Sequence, residues 1–358
     1  MNYKKLNGDE KILLSHGGGG RETAALIKDI LFAEFYGPDS NIIDYDNGQN
    51  QIKLLEDAAI LDSPKKIAFT TDSFTVSPIF FKGGDIGKLS VAGTVNDLSV
   101  MGAKPLFLSL GLIIEEGFLM EDLKKIINSV VQEAKKSGVK IVTGDTKVVP
   151  VGKADGIFIN TSGIGEVLYE NISVYNITDG DVIIVSGDVG DHGSAVMSQR
   201  DGIDMDVAIE SDCASLWDMI ELVLKQGCRV SAIRDATRGG LAAVLNEWAS
   251  AAGINIHIEE NEIPIKDSVK GFCEFLGFEP YQLACEGRVI FAVKSGYENR
   301  VIEILRSHPS GKNAKVIGIA GDKNRSDGRF KGKVILRGIY GVDRLLDYPS
   351  GELLPRIC

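Results

Sequence analysis

A chain of 358 residues, 44% hydrophobic and 25% charged, is long enough for two globular units with a core each. Its net charge of −11 excludes the basic surface that non-specific binding to nucleic acid or to an anionic membrane requires.

The opening Met1-Asn2-Tyr3-Lys4-Lys5 leads only to a short apolar patch at 12–14, too brief for the core of a signal peptide. The most apolar stretch, 105–114, is about half a membrane span, so a cytoplasmic protein is expected. A glycine run at 17–20, which includes Gly18 and Gly19, precedes a segment of helical spacing at 21–35. Strand-like runs follow at 58–61, 67–70 and 106–114, with helices expected at 85–101 and 121–137. Strands at 140–143 and 157–165 then close a first α/β unit. The turn-rich Asn176-Ile177-Thr178-Asp179-Gly180 opens a second unit. It alternates again, with strands at 182–185, 254–258, 289–293 and 315–320 and helices near 193–200, 214–225 and 239–252. The expected domains are 1–170 and 176–340, followed by a mobile tail, 341–358.

That tail ends Gly351-Glu352-Leu353-Leu354-Pro355-Arg356-Ile357-Cys358. A thiol on the last residue is poorly placed for core packing and well placed to travel. By position it reads equally as an incidental cysteine or as a substrate carrier, and the marks of an ATP-using enzyme in the rest of the chain favour the carrier. Pro355 stands where a prenylation box would need its cysteine. Cys213, Cys228, Cys273 and Cys285 have no C-x-x-C spacing and read as reduced core residues.

Four acidic clusters sit at element ends: Glu56-Asp57, Thr71-Asp72-Ser73, Asn96-Asp97 and Gly144-Asp145-Thr146. Each alone is an ordinary turn or N-cap. Together they provide the scattered carboxylates that Mg2+ needs when it shares phosphate oxygens, and an acidic protein that binds ATP needs such a cation. Asn96-Asp97 stands within an otherwise small and apolar helical run, where an unpaired carboxylate is costly. The glycine-rich approach to that helix puts Lys88 and backbone N–H groups where phosphate can bind, and 17–20 can serve as a phosphate cover or as plain linker. In the second half Arg234-Asp235-Ala236-Thr237-Arg238-Gly239-Gly240 can bring another carboxylate. Glu286 precedes a strand and Lys147 follows Asp145, a pair able to move protons at one site.

The ensemble resembles the hydrogenase maturation factor HypE family, carbamoyl dehydratases related to aminoimidazole ribonucleotide synthetase and selenophosphate synthetase. The resemblance rests on His16-Gly-Gly-Gly-Gly, Thr71-Asp-Ser-Phe-Thr-Val-Ser-Pro, Gly83-Gly-Asp-Ile-Gly, Gly93-Thr-Val-Asn-Asp-Leu and Thr143-Gly-Asp-Thr-Lys-Val-Val. It extends through Gly190-Asp-His-Gly and Asp235-Ala-Thr-Arg-Gly-Gly-Leu to the terminal Pro355-Arg-Ile-Cys, the motif peculiar to that family. It implies a two-domain PurM-like α/β (α+β) fold. It also implies that Cys358 accepts a carboxamide from the carbamoyltransferase HypF, which ATP then helps dehydrate to a thiocyanate. By analogy Asp57, Asp97 and Asp235 hold Mg2+; Asp72 and Asp145 serve the magnesium and phosphates, with Asn96, Lys88, Gly18 and Gly19 assisting. Lys147 and Glu286 stand beside the thiocarbamate, with Glu286 as the proton acceptor. A homodimer built through the first domain and cyanide delivery to a HypC–HypD complex are implied as well. Selenophosphate synthetase fits less well, because no cysteine precedes Cys213. A non-catalytic thiol carrier is the alternative from another class.

Overall fold

The computed structural model describes residues 20, 21, 24, 59–61, 65–200, 208–321, 331–350 and 354–358. Asp57, Gly18, Gly19 and most of the helix expected at 21–35 lie outside the described residues.

The first half runs β1 (Ala59–Leu61), β2 (Ile67–Phe74), a ribbon of β3 (Phe80–Phe81) and β4 (Gly84–Asp85), then α1 (Ile86–Val100), β5 (Ala103–Glu115), α2 (Met120–Ser137), β6 (Lys140–Val149) and β7 (Ile157–Val167). Its sheet has the order β1-β2-β7-β5-β6. Every pair is antiparallel except β5 with β6, which α2 joins by the crossover a parallel pair requires. The helix α1 is buried nearly all round, because Leu89, Val91, Ala92, Val95 and Leu98 leave no polar face. Asp85 caps it by accepting from the Gly87 and Lys88 amides at 2.7 and 3.1 Å. A methyl at Gly87 would come within 2.3 Å of the Ile126 carbonyl, so glycine there lets α1 and α2 cross closely.

The second half runs β8 (Val182–Val185), α3 (Asp191–Met197), α4 (Trp217–Lys225), β9 (Val230–Asp235), α5 (Gly240–Ala252), β10 (Ile256–Glu259), α6 (Asp267–Leu276), β11 (Val289–Val293), α7 (Glu298–Ser307), β12 (Lys315–Ala320), β13 (Val334–Arg337) and β14 (Asp343–Leu345). The sheet order is β14-β13-β10-β12-β8-β11-β9, with only β10 and β13 parallel. The all-apolar β8 is buried on both faces. Ile183 and Val185 pack toward α5, while Val182 and Ile184 join the cluster holding residues of α4 and α7. The fold is thus α/β (α+β), two largely antiparallel sheets carrying helices. Among the described residues no helix is long and apolar enough to cross a membrane.

Two expectations change. The second strand of the parallel pair spans Lys140–Val149 rather than 140–143, because Asp145 and Lys147 are accommodated on an exposed edge strand. The sheet also continues past 341: β14 pairs with β13, and Leu346 is buried, its carbonyl accepting from Asn246 Nδ2 at 2.9 Å.

Candidate active site

Between the two halves lies a cavity of about 220 Å³ lined by Asp72, Asp97, Asp235, Arg238, Glu286 and Cys358, among others. Asp72 comes from β2 and Asp97 from α1. The Thr70 hydroxyl donates to Asp97 Oδ2 at 2.8 Å. A methyl at Gly93 would press on the Phe74 ring at 3.0 Å, so glycine permits the close approach of α1 to β2.

From the other side, Asp235 ends β9 opposite Val289. Beyond this pair the ladder continues irregularly, with the Ala236 amide donating to the Arg288 carbonyl at 3.1 Å and the Cys285 amide to the Ala236 carbonyl at 2.8 Å. These bonds hold Glu286 beside Asp235. The Glu286 and Gly287 amides donate to the Asp212 carboxylate at 3.1 and 3.2 Å.

The end of the chain is seated in this cleft. The Thr75 amide donates to the Cys358 carbonyl at 2.9 Å and the Ser77 amide to the Arg356 carbonyl at 3.0 Å. Ile357 is buried in the cluster with Phe74 and Ile86. Arg356 Nε donates to the Thr75 carbonyl at 2.7 Å, and its guanidinium pairs with Asp155. His192 is fully buried, which pushes its pKa down and keeps the ring neutral. Its Nε2 therefore donates to the Ile357 carbonyl at 2.7 Å, while Nδ1 accepts from Ser211 at 2.8 Å. Arg200 adds a bond to the Arg356 carbonyl at 3.0 Å.

Burial dominates the electrostatics. It pushes Glu286 well above the ordinary carboxylate range, with Asp235 and Asp72 adding to the shift and Arg238 opposing it. Buried Glu286 Oε1 has no hydrogen-bond partner among the described residues. Asp235 is pushed up to about 6 by the same desolvation. Asp72 is raised too, against Arg238 and the Ser73 amide. Burial drives the Cys358 thiol upward, so the seated sulfur is a protonated thiol and a weak nucleophile.

The cavity gathers five of the residues singled out in the sequence: Asp72, Asp97, Asp235, Glu286 and Cys358. Four others fall elsewhere. Asp145 and Lys147 stand exposed on β6, paired with each other. Lys88 Nζ donates to the Gly83 carbonyl at 2.8 Å. Asn96 is buried and staples the halves together, its Nδ2 donating to the Ala214 carbonyl at 3.0 Å and its Oδ1 accepting from the Leu216 amide at 2.9 Å. Arg238 was not singled out. Its signal is its place three residues after Asp235 and directly before Gly239-Gly240.

The oxygen-rich donor set of Asp72, Asp97 and Asp235 suits magnesium. Among the described residues no three acidic, histidine or cysteine side chains already converge as a metal cage.

Residues 55–167 match the N-terminal domain and 178–331 the C-terminal domain of AIR synthase related proteins. These matches place the chain among the AIR synthase related proteins. Within that class the chain is 42% identical to carbamoyl dehydratase HypE of Escherichia coli, over 97% of this chain and 99% of the relative. It is 41% identical to carbamoyl dehydratase HypE of Rhodobacter capsulatus, over 98% and 99%. A HypE chain crystallised with HypF superposes with a TM-score of 0.80 at 48% identity, covering 91% of this chain and all of that one. A HypE crystallised with ATP gives 0.79 at 40% identity, over 97% of this chain and 100% of that one. The chain belongs to the carbamoyl dehydratase HypE family.

Proposed function

We propose that the protein dehydrates, at the expense of ATP, a carboxamide carried on its own Cys358. The thiocyanate formed supplies cyanide ligands for the iron of nickel–iron hydrogenase. The observation that carries this reading is the seat of Cys358, whose sulfur shares one cavity with Glu286 and three aspartates. A pure carrier would have no need to bury its thiol beside a high-pKa carboxyl.

An amide oxygen leaves poorly as hydroxide and well as phosphate. The carboxamide oxygen attacks the γ-phosphorus of ATP, and the bond to ADP breaks. One N–H proton passes to Glu286. The C–O bond then breaks with its electron pair on phosphate, which also takes the second proton, and the C≡N bond is complete. Glu286 suits the first transfer because burial makes its carboxylate a strong base. Asp72, Asp97 and Asp235 would hold Mg2+, and the family analogy adds Asp57 to that set and assigns Gly18 and Gly19 to the phosphates. Bound there, the ion offsets the charge of the triphosphate.

The seated thiol is protonated, so carbamoyl transfer from HypF belongs to an unseated tail. The product then goes to a HypC–HypD complex in the cytoplasm. A homodimer through the first sheet accounts for the exposed apolar side chains Phe107 and Ile113 of β5 and Ile141 and Val148 of β6. It would also cover β6 with Asp145 and Lys147, bringing these two into an interface.

Intact mass spectrometry after incubation with HypF, carbamoyl phosphate and ATP tests the reading. The expected sequence is gain of one carboxamide on the chain followed by loss of one water. A carboxamide that persists with ATP and magnesium present would overturn it.

A further inference from the structure

The cavity is acidic where the reaction must hold negative charge. Asp72, Asp97, Asp235 and Glu286 line it, and the cations among its lining residues are Arg234 and Arg238. Arg234 pairs at 2.9 Å with Glu247, which is not part of the lining. Arg238 lines the same cavity as Cys358, Asp72 and Glu286, close enough for its charge to act on the titration of each.

Arg238 is also well placed by its backbone. It precedes Gly239 and Gly240, whose φ angles of +77° and +60° only glycine adopts easily. A methyl at Gly240 would come within 2.4 Å of the Leu283 carbonyl, so the turn rests directly on the segment leading to Glu286. With Cys285 hydrogen-bonded to Ala236, the turn and the carboxyl are fixed as one unit.

We infer that Arg238 is a catalytic residue of the dehydration: its guanidinium holds the carboxamide oxygen on the Cys358 sulfur and then the phosphate ester formed from that oxygen. The inference rests on the reaction proposed above and adds no bond to it, since Arg238 keeps its protons throughout. A planar fork of N–H donors suits an oxyanion or phosphate in a site otherwise lined by carboxylates, which would repel both. Negative charge grows on this oxygen as the C–O bond breaks and its electron pair moves onto phosphate, so a donor aimed there stabilises that transition state more than the bound ester.

The test uses full-length Arg238→Gln and Arg238→Lys, carbamoylated by HypF and then mixed with ATP and magnesium for a single turnover read by intact mass. Arg238→Gln is expected to accept the carboxamide as wild type does and to dehydrate it about 10²–10³-fold more slowly, the usual effect of losing one such donor. Arg238→Lys, with the charge but not the fork, is expected to be slowed by roughly tenfold. Melting temperature and the alkylation rate of free Cys358 are measured alongside. Melting is expected to match wild type and alkylation to be no faster, since losing the guanidinium only raises the thiol's pKa, whereas an unseated tail would speed it. Dehydration at the wild-type rate in Arg238→Gln overturns the inference, as does a slowing that tracks faster alkylation. If Arg238→Gln does not fold, a wild-type rate in Arg238→Lys overturns it and a slowing at unchanged alkylation supports it. Failure of the wild-type protein to dehydrate would instead overturn the parent reaction.

Discussion

Asp235 and Asp145 both lie on a strand close to a threonine, in Asp235-Ala-Thr of one half and Gly144-Asp-Thr of the other, yet their surroundings are opposite. Asp235 closes β9 at the cavity, 5% exposed, and desolvation pushes it up to about 6. Asp145 lies on an edge strand with its side chain 68% exposed, and its bond from Lys147 holds it below the usual carboxylate range. Burial decides the difference. A carboxylate in water beside a lysine is an ordinary ion pair of little consequence for stability. One taken from water and set near other acids is costly unless a cation arrives, and that cost is what a metal-nucleotide ligand relieves.

The largest expected effect lies at the buried pole. Cys358→Ala should accept no carboxamide from HypF, because Cys213, Cys228, Cys273 and Cys285 are all buried. Intact mass reads this directly, and a modified variant would move the carrier role to another thiol. Next comes Glu286→Gln, which should accumulate carbamoylated Cys358 with ATP bound and slow dehydration about 10²–10⁴-fold. The raised pKa adds a sign: the wild-type rate should climb with pH as Glu286 loses its proton, while the variant stays flat. A variant that keeps the wild-type pH profile would remove Glu286 as the base.

Asp235→Asn should lower magnesium-dependent turnover by roughly tenfold or more while folding more stably near neutral pH. The folded pKa lies above its unfolded value of 3.8, so the folded state binds more protons. Stability therefore falls as pH rises from 3.8 through about 6. Urea melts at both ends of that window should show the fall in wild type and its loss in the variant. Equal slopes in the two proteins would mean that Asp235 is not desolvated. Smallest of all, Lys147→Ala should leave the melting temperature unchanged and slow single-turnover dehydration by less than Glu286→Gln does. An unaltered rate would confine Lys147 to its surface pair.

The sequence made the strands at 182–185, 289–293 and 315–320 legible to the residue, because compact, mostly apolar runs have sharp ends. It hid β9, α6 and α7. In β9 the run Val230-Ser-Ala-Ile-Arg-Asp reads as polar, since Ser231 is buried through its bond to Asp181 rather than by its own chemistry. The cavity acids were legible as residue types near glycine and threonine. Asn96 and Lys88 carried the same signal but turned to backbone carbonyls instead, a choice settled by long-range packing. The seat of the tail was not legible, because the buried His192 and exposed-looking Arg356 meet it only in three dimensions.

The anchoring of Leu346 in the second core has a kinetic consequence. Residues 347–358 can span on the order of 40 Å, so the thiol never leaves the neighbourhood of its own catalyst. Its local concentration is set by the tether and not by the cell, which turns the chemical step into a first-order event with no Michaelis constant for the carboxamide. Each protomer can therefore turn over only as often as its tail is loaded and unloaded. Throughput is governed by the exchange of partners at the freed end, and protein already loaded but given no further donor or acceptor would complete one round and stop.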